Sequence, residues 1–310
     1  MVSSTSAGKR LAARLTAAGG EVELPSGIRL HVQLVDFTDP WREPPVVLML
    51  HGTVETGAAF RQWIPWLARH FRLVVPDLRG MGGSTPLRPD EPLEARDLIG
   101  DLRALMQLLE VPRYLVIGEK VGALLGLTLA GTHPSEVAGL AVSAGMVAPR
   151  KVLGPWIPEW IALIRRGGPR AWVDATQAGR MGDELSPAGL EWWSAMMAGA
   201  MTSESLIGFL QFLGRLEVDE PTLRAIECPT LFLVPAAAEP GDGRYDQRRP
   251  RAETDAWRNL VRGYRVAEID SRSYHIAATR PDDCAIAVRD FFRSVLEAPQ
   301  APCTMPAQNR

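Results

Sequence analysis

Residues 114–132 read YLVIGEKVGALLGLTLAGT, and this stretch decides the fold. It opens with a continuous apolar run at 114–117, which is typical of a strand buried on both faces of a sheet. It closes with an apolar helix at 121–132. The turn GEKVG, residues 118–122, joins the two: its small residues allow a sharp bend that pushes Lys120 into the open above the sheet.

A lysine at this point is unusual for the chain. Of its 34 basic residues only three are lysines, and these are Lys9, Lys120 and Lys151. Because arginine is the default cation here, a lysine inside an apolar segment indicates a specific role. An amine can act as a general base or form a Schiff base, whereas a guanidinium does neither.

Composition narrows the class of protein. The chain has 310 residues, of which 46% are apolar, enough for one large α/β domain or a core with an inserted cap. A net charge of −2 gives no field that favours nucleic acid or an anionic membrane. We expect no transmembrane segment, since no run approaches about 20 apolar residues. Residues 1–10 do not resemble a signal peptide, so we predict a cytoplasmic protein.

Strand and helix patterns alternate on both sides of a helical stretch. The predicted strands are a hairpin at 22–35 and runs at 46–50, 73–76, 114–117, 138–143, 230–234 and 266–269. The predicted helices of the core are 58–69, 93–110, 121–132, 251–262 and 281–295. This alternation predicts a mainly parallel, doubly wound sheet.

The domain organisation follows from where the alternation stops. Residues 150–226 have only helical patterns, and we predict that they form a cap over the carboxyl ends of the strands, where such sheets bind ligands. The α/β core is then residues 21–149 and 227–297. An N-terminal extension covers residues 1–20, and the polar, Pro-rich tail at 298–310 is predicted to be disordered.

Several motifs together resemble the α/β-hydrolase superfamily. The turn at 118–122 has the form of its nucleophile elbow, and His51-Gly52 follows a buried strand. The segments DLRGMGGS at 77–84, GRYD at 243–246 and Tyr274-His275 also fit. The resemblance spans about residues 22–296 and is greatest to members with a helical cap, such as esterases, enol-lactonases, carbon–carbon bond hydrolases and epoxide hydrolases.

The resemblance implies a histidine and an acid that follow the elbow residue in the chain. His275 stands after the last strand, where the family places its catalytic base. Asp246 is our first choice for the acid, because it lies 29 residues before His275 and within the acid-turn motif. Counting from the strand that ends at Val234 favours Glu239 instead, and Asp242 is a third choice.

The fold also implies an oxyanion hole made of backbone N–H groups. One donor is Val121, the residue after the elbow residue and the first of a helix. The other belongs to the loop after His51-Gly52, most simply to Thr53. These donors do not depend on which side chain stands at position 120.

Lysine at the elbow excludes the ordinary serine-hydrolase mechanism, because acylation of an amine would give an amide that hydrolyses too slowly for turnover. Lys120 therefore acts as a base, a Schiff-base former or an electrostatic clamp, or it is inert. The positive end of helix 121–132 disfavours a protonated amine at Lys120. A neighbouring carboxylate, from Glu119 or Asp246, would oppose that effect.

The predicted cap is rich in tryptophan. Trp156 and Trp160 are spaced four residues apart on one helical face, and we expect them to contact an apolar substrate, although packing of the cap is the simpler explanation for any single tryptophan. No phosphate loop, dinucleotide fingerprint or metal-ligand cluster is found, so we predict no cofactor and no metal.

The sequence therefore predicts a cofactor-free enzyme of the α/β-hydrolase fold with an inserted helical cap, a hydrolase or a lyase. We expect it to act on a small apolar carbonyl compound, by ester or lactone hydrolysis or by carbon–carbon cleavage. Lys120 would stand at the elbow and His275 would move protons. The alternative is a catalytically silent protein that binds a small ligand or a partner. The oligomeric state is left open.

Overall fold

A computed structural model describes residues 6–88, 92–237, 243–249 and 251–298. Within these residues eight strands form one sheet in the order β1-β2-β4-β3-β5-β6-β7-β8. The strands are β1 (Gly20–Glu23), β2 (Arg29–Val35), β3 (Val46–Leu50), β4 (Arg72–Pro76), β5 (Tyr114–Glu119), β6 (Val137–Ser143), β7 (Thr230–Pro235) and β8 (Tyr264–Ile269). β1, β2 and β4 pair antiparallel and all other pairs are parallel.

Helices follow most strands and fill the segment between β6 and β7. The α-helices of the described residues are α1 (Ala7–Ala12), α2 (Ile64–Leu67), α3 (Ala95–Leu108), α4 (Val121–Thr132), α5 (Pro149–Val152), α6 (Ile157–Met181), α7 (Pro187–Gly199), α8 (Ser203–Leu213), α9 (Glu220–Arg224), α10 (Arg251–Arg258), α11 (Ile276–Thr279) and α12 (Pro281–Glu297). Short 3₁₀ turns lie at Gly57–Phe60 and Gly154–Trp156.

The sheet is covered on both faces, which explains its apolar central strands. Every residue of β3 and β5 is buried. One apolar cluster joins the sheet to α3, α4 and the helices after β6, and a second joins its other face to α2 and α12. Burial on both faces is what a continuous apolar run predicts for parallel strands.

The helices after β6 form a layer of their own around α6. The long helix α6 packs against α7 and α8. It is interrupted at Gly167 and Gly168, where Gly168 has φ +70°, and it resumes at Pro169. Proline suits the first turn of a helix, because the N–H that it lacks has no partner there. The second half of α6 ends at Met181, so Arg180 lies in its last turn.

The structure differs from the sequence expectation in one core element. Residues 58–69 divide into a 3₁₀ turn, Gly57–Phe60, and the short helix α2. Pro65 explains the division, since it fits only the first turn of a helix. The predicted tail and two candidate acids, Glu239 and Asp242, lie outside the described residues. Among the described residues, no helix combines the length and the apolar composition that a membrane crossing requires.

Candidate active site

Lys120 occupies the bend between β5 and α4. Its backbone has φ +51° and ψ −114°, a conformation that non-glycine residues adopt only at a cost of about 1–3 kcal/mol. The helix passes so close to β3 that a Cβ on Gly122 would lie 2.1 Å from the carbonyl oxygen of Leu50. Glycine is therefore required at position 122, and Lys120, the strained residue two positions before it, holds its side chain above the strand ends.

The amine of Lys120 is buried among three ionisable side chains. Its Nζ donates a hydrogen bond to Oε1 of Glu55 and lies 2.9 Å from Nδ1 of His275. Oε1 of Glu119 is 3.7 Å from the same Nζ. All four residues are buried, with Lys120 the most exposed at 6%. The carboxylates of Glu55 and Glu119 are the anionic partners that a buried ammonium requires.

Glu55 comes from the loop after β3. Its Oε2 accepts the backbone N–H of Gly52 at 2.9 Å. A Cβ on Gly52 would lie 2.7 Å from Oε2 of Glu119, 2.8 Å from Oε2 of Glu55 and 2.8 Å from Cδ of Lys120. Only glycine leaves room at this position for two carboxylates and an amine to meet.

Glu119 is the last residue of β5, directly before Lys120. Burial raises the pKa of its carboxyl group, an effect that the positive charge of Lys120 opposes. Its Oε1 lies 3.0 Å from Nε2 of His275, although the two atoms are not aligned for a hydrogen bond. Catalytic pairs often align only when substrate is bound. Burial therefore makes the carboxyl group of Glu119 hold a proton more readily than an exposed glutamate does.

His275 precedes α11 and is fixed from two directions. Its backbone N–H donates to Oγ of Ser273 at 3.0 Å and to the carbonyl oxygen of Arg180 at 3.2 Å. The ring packs edge-on against Trp193, with 4.9 Å between ring centroids. Burial, followed by the charge of Lys120, lowers the pKa of His275 well below its usual value of 6.5, so the imidazole is neutral at pH 7.

The structure corrects the assignment of the acid. Oε1 of Glu119 and Oε1 of Glu55 lie 3.0 Å and 3.5 Å from Nε2 of His275. Asp246 instead accepts a two-pronged hydrogen bond from Arg248, at 3.0 Å and 2.6 Å. Asp246 is therefore not the partner of His275, because the guanidinium two residues later binds its carboxylate.

A narrow cavity of about 40 Å³ opens beside the amine. Thr53, Lys120 and Val121 line it from the core, and Trp160 lines it from α6. In the described part of the chain, the backbone N–H groups of Thr53 and Val121 donate to no other group. Both predicted oxyanion donors therefore border the same space as Lys120.

Trp156 is not among the residues that line this cavity, so its expected substrate contact stays a prediction. Its ring packs against Trp160 and Tyr245, with 5.6 Å between centroids in each pair. The 3₁₀ turn that ends at Trp156 explains the difference, because it precedes α6 and sets this side chain behind Trp160. Trp156 is thus part of the wall behind the cavity.

Three of the clustered residues could also ligate a metal ion. One donor atom from each of Glu55, Glu119 and His275 lies within 4.8 Å of the others. The amine of Lys120 contacts atoms of the same group. A divalent cation and the ammonium would therefore compete for the same carboxylates.

The site contains two carboxylates that the sequence analysis did not assign to it. Glu119 was noted only as a neighbour of the elbow lysine, and Glu55 was not considered. A signal for both existed, because Glu119 ends an apolar strand and Glu55 lies in the loop that follows another, and a buried carboxylate requires a cation. Lys120 is the cation that both contact.

Comparisons with known proteins agree with this architecture. A family model described as the α/β hydrolase fold matches residues 45–178. The crystal structure of the enol-lactonase from Burkholderia xenovorans LB400 superimposes with a TM-score of 0.77 at 20% identity, over 88% of this chain and 100% of that one. The chain has the α/β-hydrolase fold.

Curated relatives match over shorter regions. Epoxide hydrolase B of Mycobacterium tuberculosis is 32% identical over 129 residues, which are 41% of this chain and 36% of that protein. The magnesium-chelatase 30 kDa subunit of Rhodobacter capsulatus is 30% identical over 183 residues, which are 56% of this chain and 63% of that protein. The chain thus spans less than two thirds of either relative.

Proposed function

We propose that this protein is a cofactor-free enzyme that acts on a small carbonyl compound and that Lys120 is its acid–base residue. The contact of 2.9 Å between Nζ of Lys120 and Nδ1 of His275 carries the proposal. It joins an amine, which can accept a proton from a substrate, to an imidazole that is neutral and can pass the proton on. The resemblance to enzymes named hydrolases supports the broader class.

The proposed reaction begins with the carbonyl oxygen of the substrate facing the N–H groups of Thr53 and Val121. The neutral amine of Lys120 removes a proton from the carbon next to the carbonyl or from a hydroxyl group, and the electron pair moves toward the carbonyl oxygen. The backbone donors stabilise the charge that develops there. Before this step the amine's own proton has passed to Glu119 through His275, and after it Lys120 holds the substrate's proton as an ammonium until it returns that proton to the product.

Glu119 is the proposed store for the amine's own proton. For Lys120 to be a base, its own proton must reside elsewhere in the cluster, and the raised pKa of Glu119 makes that carboxylate the acceptor. Glu55 then hydrogen-bonds the ammonium that forms. Glu119, which stores the proton, and Glu55, which binds the ammonium, are thus two carboxylates with different roles and different environments.

A second candidate is direct hydrolysis of an ester or a lactone. The distance of 3.0 Å between His275 and Glu119 favours it, since a histidine next to a carboxylate can activate water. Lys120 would then remain protonated and stabilise the anion. The enol-lactonase is the structural neighbour whose printed name fits this reaction.

The experiment separates these reactions and the catalytically silent alternative. Small aryl ketones in D₂O are followed by ¹H NMR for loss of the protons next to the carbonyl, and p-nitrophenyl esters are followed by absorbance. A proton transfer by Lys120 predicts exchange at least about 100-fold faster with the wild type than with Lys120→Met. Lys151→Met is the matched control, because its side chain is 69% exposed.

The other outcomes assign the other functions. Ester turnover without ketone exchange would support hydrolysis. An adduct at Lys120 after borohydride reduction with a ketone would identify Schiff-base chemistry instead of general-base chemistry. No exchange, turnover or adduct on any compound of the panel would contradict the proposed enzyme and leave a ligand-binding protein.

A further inference from the structure

Arg180 is a buried cation that has no carboxylate partner. It is 3% exposed and, in the described part of the chain, no carboxylate oxygen lies within 4.0 Å of its guanidinium. Its hydrogen bonds go to neutral acceptors: the carbonyl oxygens of Thr176 and Val173, at 3.3 Å and 3.4 Å, and the sulfur of Met197 at 3.2 Å. Burial lowers the pKa of Arg180 to about 10, so the group remains charged at neutral pH.

Two indole N–H groups in the same cavity also lack partners. Trp160 and Trp172 are 1% and 2% exposed, and among the described residues Nε1 of each has no hydrogen-bond acceptor. Both residues line the cavity together with Arg180 and Lys120. The guanidinium lies over the Trp172 ring, 4.7 Å from its centroid. Buried donors without acceptors are destabilising, and two of them beside the Arg180 guanidinium indicate an absent acceptor.

The charges around the cavity also favour a negatively charged substrate. The side chains of Glu55 and Glu119 contact Lys120 and leave Arg180 without a direct partner. In the described residues no carboxylate contacts the guanidinium, which leaves its positive charge without an anion at contact distance. A substrate with one negative charge would balance it.

We propose that the substrate of this enzyme carries a carboxylate that binds Arg180 and the N–H groups of Trp160 and Trp172. The carboxylate supplies several acceptors, which suit a guanidinium and two indole donors. Because the carbonyl of the same molecule is assigned to Lys120, this part rests on the proposed function. The substrate class is then a carbonyl compound with a carboxylate at its other end, such as a keto acid or a carboxylate-bearing lactone.

The test measures binding and needs no turnover. Benzoate and phenylacetate are titrated into the full chain by calorimetry, each against its uncharged amide, benzamide or phenylacetamide, at pH 7. We expect each carboxylate to bind at least ten-fold tighter than its amide. Arg180→Gln should remove this preference, and Arg170→Gln should keep it, because Arg170 lies on the same helix but pairs with Asp174 and Glu191 at the surface.

Two further variants keep the test decisive if Arg180→Gln fails to fold. Trp160→Phe and Trp172→Phe remove one N–H each and retain a ring, so each should weaken benzoate binding several-fold and leave benzamide binding unchanged. Equal binding of carboxylates and amides by the wild type would overturn the proposal. So would a carboxylate preference that survives Arg180→Gln and disappears in Lys120→Met.

These outcomes are independent of the reaction at Lys120. A carboxylate preference that depends on Arg180, together with no ketone exchange and no ester turnover, would retain this binding site and reject the proposed chemistry. Turnover of uncharged substrates without any carboxylate preference would do the opposite.

Discussion

The backbone carbonyl of Arg180 accepts a hydrogen bond from the backbone N–H of His275, with 3.2 Å between nitrogen and oxygen. Oγ of Ser273 donates to the same carbonyl at 3.2 Å and accepts from His275 at 3.0 Å. One residue of α6 therefore has two roles: its side chain lines the cavity, and its backbone fixes the loop of the histidine. A displacement of α6 at this end would also displace the imidazole.

Ser273 should act as a positioning residue through this link. Ser273→Ala removes two buried hydrogen bonds, so we expect a loss of about 1–3 kcal/mol in the free energy of unfolding. We also expect a lower kcat with little change in KM, because the imidazole loses its orientation while the cavity is unchanged. Urea unfolding and steady-state kinetics check both. Ser294→Ala is the control, since Ser294 is exposed and lies on α12; an equal fall of kcat in both variants would contradict the positioning role.

Lys120 should stabilise the fold through its ion pair with Glu55. Lys120→Met leaves Glu55 and Glu119 buried without their cation, and breaking a buried pair costs about 3–5 kcal/mol. Adding Glu55→Gln should restore part of that loss, because it removes one uncompensated charge. A double-mutant cycle by urea unfolding at pH 7 measures the coupling. Strictly additive effects of the two substitutions would show that the pair contributes nothing.

Glu119 and Asp246 differ in their predicted effects on the reaction. Glu119→Gln removes the proposed proton store, and we expect a fall in turnover of at least about 100-fold on whichever compound of the screen the wild type converts. Asp246→Asn weakens the pair with Arg248 and should change turnover by less than about three-fold. The ratio of the two rates decides between the carboxylates. A larger effect from Asp246→Asn than from Glu119→Gln would support Asp246 as the acid, as the sequence suggested.

His275 should make the stability of the fold depend on pH. Its pKa is lowered well below 6.5 in the folded chain, so the unfolded chain binds a proton that the folded chain does not as pH falls below 6.5. Stability from the neutral imidazole is therefore lost on acidification, by up to about 1.4 kcal/mol per pH unit. The raised pKa of Glu119 acts oppositely, since its contribution is lost as pH rises above 4.5.

A comparison with His275→Gln isolates the imidazole from the carboxylate. The advantage of the wild type over this variant in the free energy of unfolding should shrink between pH 7 and pH 5. Chemical unfolding at four or five pH values measures the difference. An advantage that stays constant over this interval would mean that the ring is protonated in the folded chain as readily as in the unfolded one.

Much of the architecture could be predicted from local sequence because it follows from burial. The apolar runs at 46–50 and 114–117 are strands β3 and β5, and the turn at 118–122 is the bend that holds Lys120. These features depend on which residues avoid water and on where small residues permit a sharp turn. They need no knowledge of distant contacts.

The carboxylates of the site could not be assigned in this way. Glu55 reaches Lys120 because the loop after β3 bends through Val54, which has φ +60°. Spacing in the sequence does not encode that bend. The count of 29 residues that favoured Asp246 ignores Arg248, which binds the Asp246 carboxylate. The ion pair with the neighbouring Arg248 decides where the Asp246 carboxylate lies, whereas the number of residues between the acid and the histidine does not.

Because Gly52 has no side chain, it leaves the space that the charged residues of this site need, and this bears on how the site evolved. A lysine introduced alone at position 120 would bury an uncompensated charge, and glutamates introduced alone at 55 and 119 would bury two. Any larger residue at position 52 would occupy the space that all three need. We therefore expect Gly52, Glu55, Glu119 and Lys120 to be inherited together. A protein with Lys120 but without the other three residues would have a different site around the amine. A survey of homologous genes should find them gained and lost together.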